Sequence, residues 1–156
     1  MSTYLNYISY FENLANEYLG HTSEEKHFFR KGLEEFLNGL QTSVNYPAML
    51  LDSYDFKYND NGADDVNKER TIAFLIIDNA ADTEDYNRID EIYDNTEAII
   101  DNIFNRLRAD MRWPKSEFVK HIAINNVQVS PVDNYADANF GYFVTIDILS
   151  HHNTTI

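Results

Sequence analysis

The chain has no cysteine. That excludes disulfides, a thiol nucleophile and a cysteine-bound zinc. It has only five glycines, and none falls in a G-x-x-x-x-G-K or G-x-G-x-x-G pattern, so no loop is built to cradle a phosphate with backbone amides. Cations are scarce too: 12 Lys and Arg stand against 26 Asp and Glu, a net charge of −14. Surfaces that hold nucleic-acid backbones or anionic membranes need Lys and Arg, so free association with either is not expected. The longest apolar run, Ile72 to Ile77, is far short of the ~20 residues that span a bilayer. The first twenty residues carry no basic segment ahead of an apolar core, so they do not read as a secretory signal. These absences predict a soluble cytoplasmic protein with no cofactor.

What is present is a core. The 156 residues are 44% hydrophobic and 14% aromatic, too rich for a disordered acidic tail. The length suits one domain, 1–150, with 151–156 as a frayed polar tail. The acid is concentrated. Of the 26 acidic residues, 15 lie between Asp52 and Asp101, opposed there only by Lys57, Lys68, Arg70 and Arg88.

Periodicity gives the elements. Residues 3–19 carry Leu5, Ile8, Phe11, Ala15 and Tyr18 at helical steps, with Gly20 placed to cap the end. Thr22 and Glu25 make a capping box for a second helix with Phe29, Leu33, Phe36, Leu37 and Leu40 on its apolar face. From Tyr46 the period becomes two. Tyr54, Phe56 and Tyr58 alternate with Ser53, Asp55 and Lys57, which predicts a strand with one wet face. A polar turn over 59–65 follows, then Thr71 to Ile77, apolar on both parities and so a central strand covered on both faces. Residues 83–110 read as a long helix, with Ile89, Ile92, Tyr93, Thr96, Ile99, Ile100, Ile103, Phe104 and Leu107 as its stripe and Pro114 as its stop. Phe118–Ile124 and Val127–Val129 form one strand bulged at Asn125-Asn126. Pro131 to Asn139 is a loop, and 142–149 is the last strand. The predicted fold class is therefore α+β in the order ααββαββ: a four-stranded, mainly antiparallel sheet of two hairpins, flanked by an N-terminal helix pair and one long helix.

Few residues offer chemistry. Aligning Gly62 with the glycine of a calcium-binding EF-hand loop puts Lys57 and Lys68 where carboxylates are required, and Glu69 misses by one. Asp78 ends the buried strand, as catalytic carboxylates can, but Asp78-Asn79 also suits the turn that follows. It has no partner at interpretable spacing. His21, His27, His121, His151 and His152 show no H-x-x-x-H or H-E-x-x-H spacing. No G-x-S-x-G sets up a serine nucleophile. No catalytic, cofactor or metal residue is assigned, and the chain is not expected to be an enzyme. What stands out is the long helix. Asp90/Asp94, Asp94/Glu97 and Glu97/Asp101 are like charges three or four residues apart, each pair costing a few tenths of a kcal/mol. The candidate functional residues are these acids, Asp90, Asp94, Glu97 and Asp101, with Asp60, Asp64 and Asp65 of the polar turn.

Asn45-Tyr46-Pro47-Ala48 leading into the first strand, the long helix between two hairpins, and the closing Asn139-Phe140-Gly141-Tyr142-Phe143-Val144-Thr145-Ile146-Asp147-Ile148 are together similar to the tail-terminator, or tail-completion, neck-ring proteins of bacteriophages, including Bacteroidetes phages, and of related contractile injection systems. The resemblance implies a structural protein whose copies form a ring, a hexamer, capping the tail tube and docking to neck proteins. It implies assembly in the cytoplasm and residence in the finished particle. DNA would pass through the ring without specific binding, and an acidic lumen would repel its phosphates. Small, acidic, cysteine-free chains also include DNA mimics and immunity-type inhibitors of basic nucleases or toxins. Both readings remain open on the sequence.

Overall fold

The computed structural model describes residues 4–30, 33–40, 44–60, 62, 66–120 and 122–152. In chain order these form α1 (Tyr4–Leu19), β1 (Phe28–Arg30), α2 (Leu33–Leu40), β2 (Ala48–Leu51), β3 (Asp55–Asp60), β4 (Val66–Asn79), α3 (Tyr86–Arg112), a short 3-10 turn at Glu117–Val119, β5 (Ile122–Tyr135) and β6 (Asn139–His152). The class is α+β, but the sheet has six strands, not four, and it is mixed: β1 pairs with β2 in parallel while the other pairings are antiparallel. Its order is β1-β2-β4-β6-β5, with β3 also paired to β4.

Two causes account for the extra strands. The first is a break in what reads as one strand before the polar turn. Ala48–Leu51 pairs with Phe74–Ile77, and Asp55–Asp60 pairs with Val66–Thr71. Between the two ladders the register slips by one residue, so Asp52–Tyr54 is a bulge that splits the strand into β2 and β3. The second is Phe28–Arg30, read as helical, which lies parallel to β2. Thr22 does form its capping hydrogen bonds, its Oγ1 accepting from the amides of Glu24 and Glu25, but it closes a turn and no helix follows. The Met49 amide instead donates to the His27 carbonyl, and the helix waits until Leu33. Aromatic residues at 28 and 29 suit a strand as well as a helix face, and here the sheet takes them.

Other boundaries moved outward. Residues predicted as a loop from Pro131 continue β5 to Tyr135, and β6 begins at Asn139, so a tight turn joins two 14-residue strands. The expected bulge is present, with a register shift between Ile124 and Asn126. The tail predicted to fray from 151 stays in the ladder through His152, and residues beyond it lie outside the described part.

Helices α1 and α3 cover one face of the sheet. Tyr7, Phe11, Leu14, Ile100, Ile103 and Leu107 meet Met49, Leu51, Ile72, Phe74, Ile76, Val144, Ile146 and Ile148 there. Burying each such side chain contributes roughly 1.5–3 kcal/mol. Phe29 and Phe36 cover part of the other face with Leu50, Leu75 and Ile77. Of the Thr71–Ile77 stretch expected to be covered on both faces, Phe74–Ile77 is buried on both, while Thr71 is exposed and Ala73 half-buried. Arg106 ties the two large helices. Its Nη1 donates to both Glu17 carboxylate oxygens at 2.8 and 2.7 Å, and its Nε donates to Asp110 at 3.0 Å.

Candidate interaction surfaces

Helix α3 starts at Asp85, whose side chain accepts from the Arg88 amide, and ends at Trp113, one residue before Pro114. Asp90, Asp94, Glu97 and Asp101 are all exposed. Steps of four, three and four residues put them on one flank of the helix. None of the four forms an ion pair among the described residues, and Arg88 instead bridges Asp78 and Glu91. The Asp101 end of this stripe borders a groove of about 200 Å³ between α3 and β5, whose walls include Ile100, Phe104, Leu107, Val127 and Val129. Val129 is 43% exposed. Among the described strands β5 pairs only with β6 and so is an edge. Its bulge and Pro131 interrupt the free ladder, devices that discourage another strand from adding there.

The polar turn is elsewhere. Asp60 closes β3, and its Oδ1 accepts from the Gly62 amide at 2.9 Å. Asp64 and Asp65 lie outside the described residues. At this end of the sheet the order across is β3-β4-β6-β5, so Asp60 is on one edge and Asp101 borders the other. The structure gathers the four helix acids into one surface and separates Asp60 from it.

A second surface escaped the sequence reading. Tyr54, Phe56 and Tyr58 were expected to face a core, with only the alternate residues wet. Every residue of β3 is exposed, and Phe56 and Tyr58 are each 52% exposed. The reason is reach: the N-terminal end of α1 brings Tyr4 and Tyr7 against Tyr54, the residue just before β3. Rings step outward from Tyr54 to Phe56 to Tyr58 at centroid distances of 6.3 and 5.9 Å. Across the ladder, Arg70 pairs with Phe56 and Lys68 with Tyr58. The Lys68 ammonium sits 4.1 Å from the Phe56 centroid, and the Arg70 guanidinium stacks near Tyr54. Neither cation meets a carboxylate among the described residues, and the buried Nε of Arg70 has no hydrogen-bond partner. Burial and then the nearby Arg70 charge push the Lys68 pKa down. The signal available in the sequence was two cations at even positions opposite the even aromatic residues.

The other candidates have structural partners. The Asp78 Oδ1 accepts from the Asn79 amide in the turn after β4. The His21 Nδ1 accepts from the His27 amide at 3.0 Å, which leaves its Nε2 proton for Glu12. The His27 Nδ1 bonds the Pro47 carbonyl, while His121 lies outside the described residues. Among the described residues no three His, Asp or Glu side chains converge as a metal site, and no helix is long and apolar enough to cross a membrane. No protein-family model matches the chain, and no curated protein matches it.

Proposed function

We propose that this protein is a structural assembly component of the tail-terminator type. Copies pack into a ring that caps a tail tube and joins it to a neck, and DNA passes without being held. The observation that carries the reading is the unpaired acidic stripe of α3 beside an open apolar groove. An apolar groove on a rigid helix–sheet corner suits a lasting protein contact. A row of carboxylates without cations suits a surface that polyanions must slide past. The reading includes no catalytic step.

The rival, a DNA mimic that blocks a basic nuclease or toxin, draws on the same stripe. Charge density favours the first reading. Four carboxylates from Asp90 to Asp101 span about 16 Å of helix, a length over which duplex DNA carries about nine charges. Size-exclusion chromatography with light scattering, followed by negative-stain imaging, separates the two. Rings or short stacks support the assembly reading. A strict monomer at every concentration that binds a basic nuclease with nanomolar, salt-sensitive affinity would replace it with the inhibitor reading.

A further inference from the structure

We propose that the two open surfaces are the two halves of one contact between copies of this chain: Phe56 of one protomer seats in the groove between α3 and β5 of the next, and Lys68 beside it pairs with Asp101 at the groove's rim. The inference rests on the ring reading and supplies the contact that would build it.

Size, charge and position agree. An apolar cavity of roughly 150 Å³ accepts a benzene ring, and the groove offers about 200 Å³ walled by Ile100, Phe104, Val127 and Val129. One phenylalanine ring fits. Lys68 and Arg70 form no ion pair among the described residues, and they flank the exposed ring of Phe56. Asp101, on the groove, has no cation among the described residues. Lys68 and Asp101 thus each lack, among the described residues, the counter-charge that the other carries.

The two surfaces belong to opposite edges of the sheet, β3 and β5. A contact between two different surfaces of one protomer is head-to-tail, the kind that builds a ring where its rotation closes and a filament where it does not. Edge-to-edge strand addition is not the means, because the bulge and Pro131 break the free edge of β5. Side chains make the joint, with the Phe56 ring as its anchor.

The test is sedimentation and light scattering of the full chain. Phe56→Ala and Asp101→Lys should each weaken self-association at least tenfold. Phe56 and Asp101 are both exposed, and circular dichroism checks that each variant keeps its fold. Phe56→Ala mixed with the groove-blocked Val129→Arg variant should give dimers and nothing larger, since one intact contact survives between an arm and a groove. A benzophenone side chain placed at position 56 should cross-link to residues 100–107 or 127–129 of a second copy. If rings form and both single variants leave them intact, or the cross-links map elsewhere, this contact is wrong and the ring reading stands. If the unaltered chain stays monomeric at every concentration, both fall. A cross-link only to a foreign protein would overturn the self-contact.

Discussion

Asn79 and Asn139 face each other at the last rung of the β4–β6 ladder, and the Asn79 Nδ2 donates to the Asn139 Oδ1 at 3.0 Å. The same Nδ2 reaches the Asp137 carbonyl, and the Asn139 Nδ2 donates to the Ala136 carbonyl. The two side chains brace a turn in which Ala136, Asp137 and Ala138 all have positive φ. Non-glycine residues held left-handed cost energy and persist only when their surroundings fix them. Asn139 is fully buried. Asn139→Ala should therefore cost about 1–3 kcal/mol, the penalty for leaving buried partners unmade. Urea unfolding checks it. An unchanged midpoint would mean that the turn holds itself.

Gly141 sits two residues further along β6 with φ +155°, and a Cβ there would collide with the Ile76 carbonyl. The obstacle is backbone in the central strand, so no rotamer relieves it. We expect Gly141→Ala to cost about 3 kcal/mol or more, at the severe end for one substitution. The readout is thermal unfolding, with loss of soluble expression as the extreme. A variant as stable as the parent would refute the close approach. The glycine between two aromatic residues that marks the closing strand thus has a local packing cause, independent of any family.

The acidic stripe predicts its own relief. Asp94 has like charges four and three residues before it, Asp90 and Glu91, and three after it, Glu97. Asp94→Lys replaces three repulsive pairs with three attractive ones. At a few tenths of a kcal/mol per pair, the gain is about 2 kcal/mol at low salt, shrinking as salt screens it. Thermal melts at two ionic strengths measure this. No gain at low salt would show that the carboxylates do not feel one another.

Two carboxyl groups should respond to pH with opposite sign. Burial pushes Glu35 up, but hydrogen bonds from Lys26 and the Arg30 amide outweigh it and hold its pKa below the ordinary value. Glu35 therefore stabilises the fold above the carboxyl range near about 4, and that support is lost as pH falls through its lowered folded pKa. Burial alone raises Asp52. Its charge therefore weakens the fold as pH rises from its ordinary value through its raised one. Glu35→Gln should lose stability at neutral pH and match the parent in acid. Asp52→Asn should gain stability at neutral pH and match the parent below the ordinary aspartate pKa. Denaturant midpoints across pH 3 to 7 decide, and equal shifts for both variants would contradict the assignment.

Much of this was legible because it is local. The α3 stripe, its acidic flank and its stop at Pro114 depend on spacing within one helix, and spacing is written in the chain. The alternation of Tyr54, Phe56 and Tyr58 was also readable as a strand. Which way that strand faced, and whether anything covered it, was not. Phe28 and Phe29 were read with the helix that follows, because apolar pairs satisfy either period. The pairing of Phe28–Arg30 with β2 is a contact across about twenty residues that no local pattern encodes.

The sequence by itself determined that the chain folds, that its long helix is amphipathic with one acidic flank, and that β4 is central. These follow from composition and periodicity, which act through neighbours in the chain. Only the tertiary structure decided that Asp101 borders a groove while Asp60 lies across the sheet, and that Phe56 is exposed beside a half-buried Lys68 that forms no ion pair among the described residues. Exposure and pairing depend on where distant segments end, and the rings of α1 reach Tyr54, just before β3 begins.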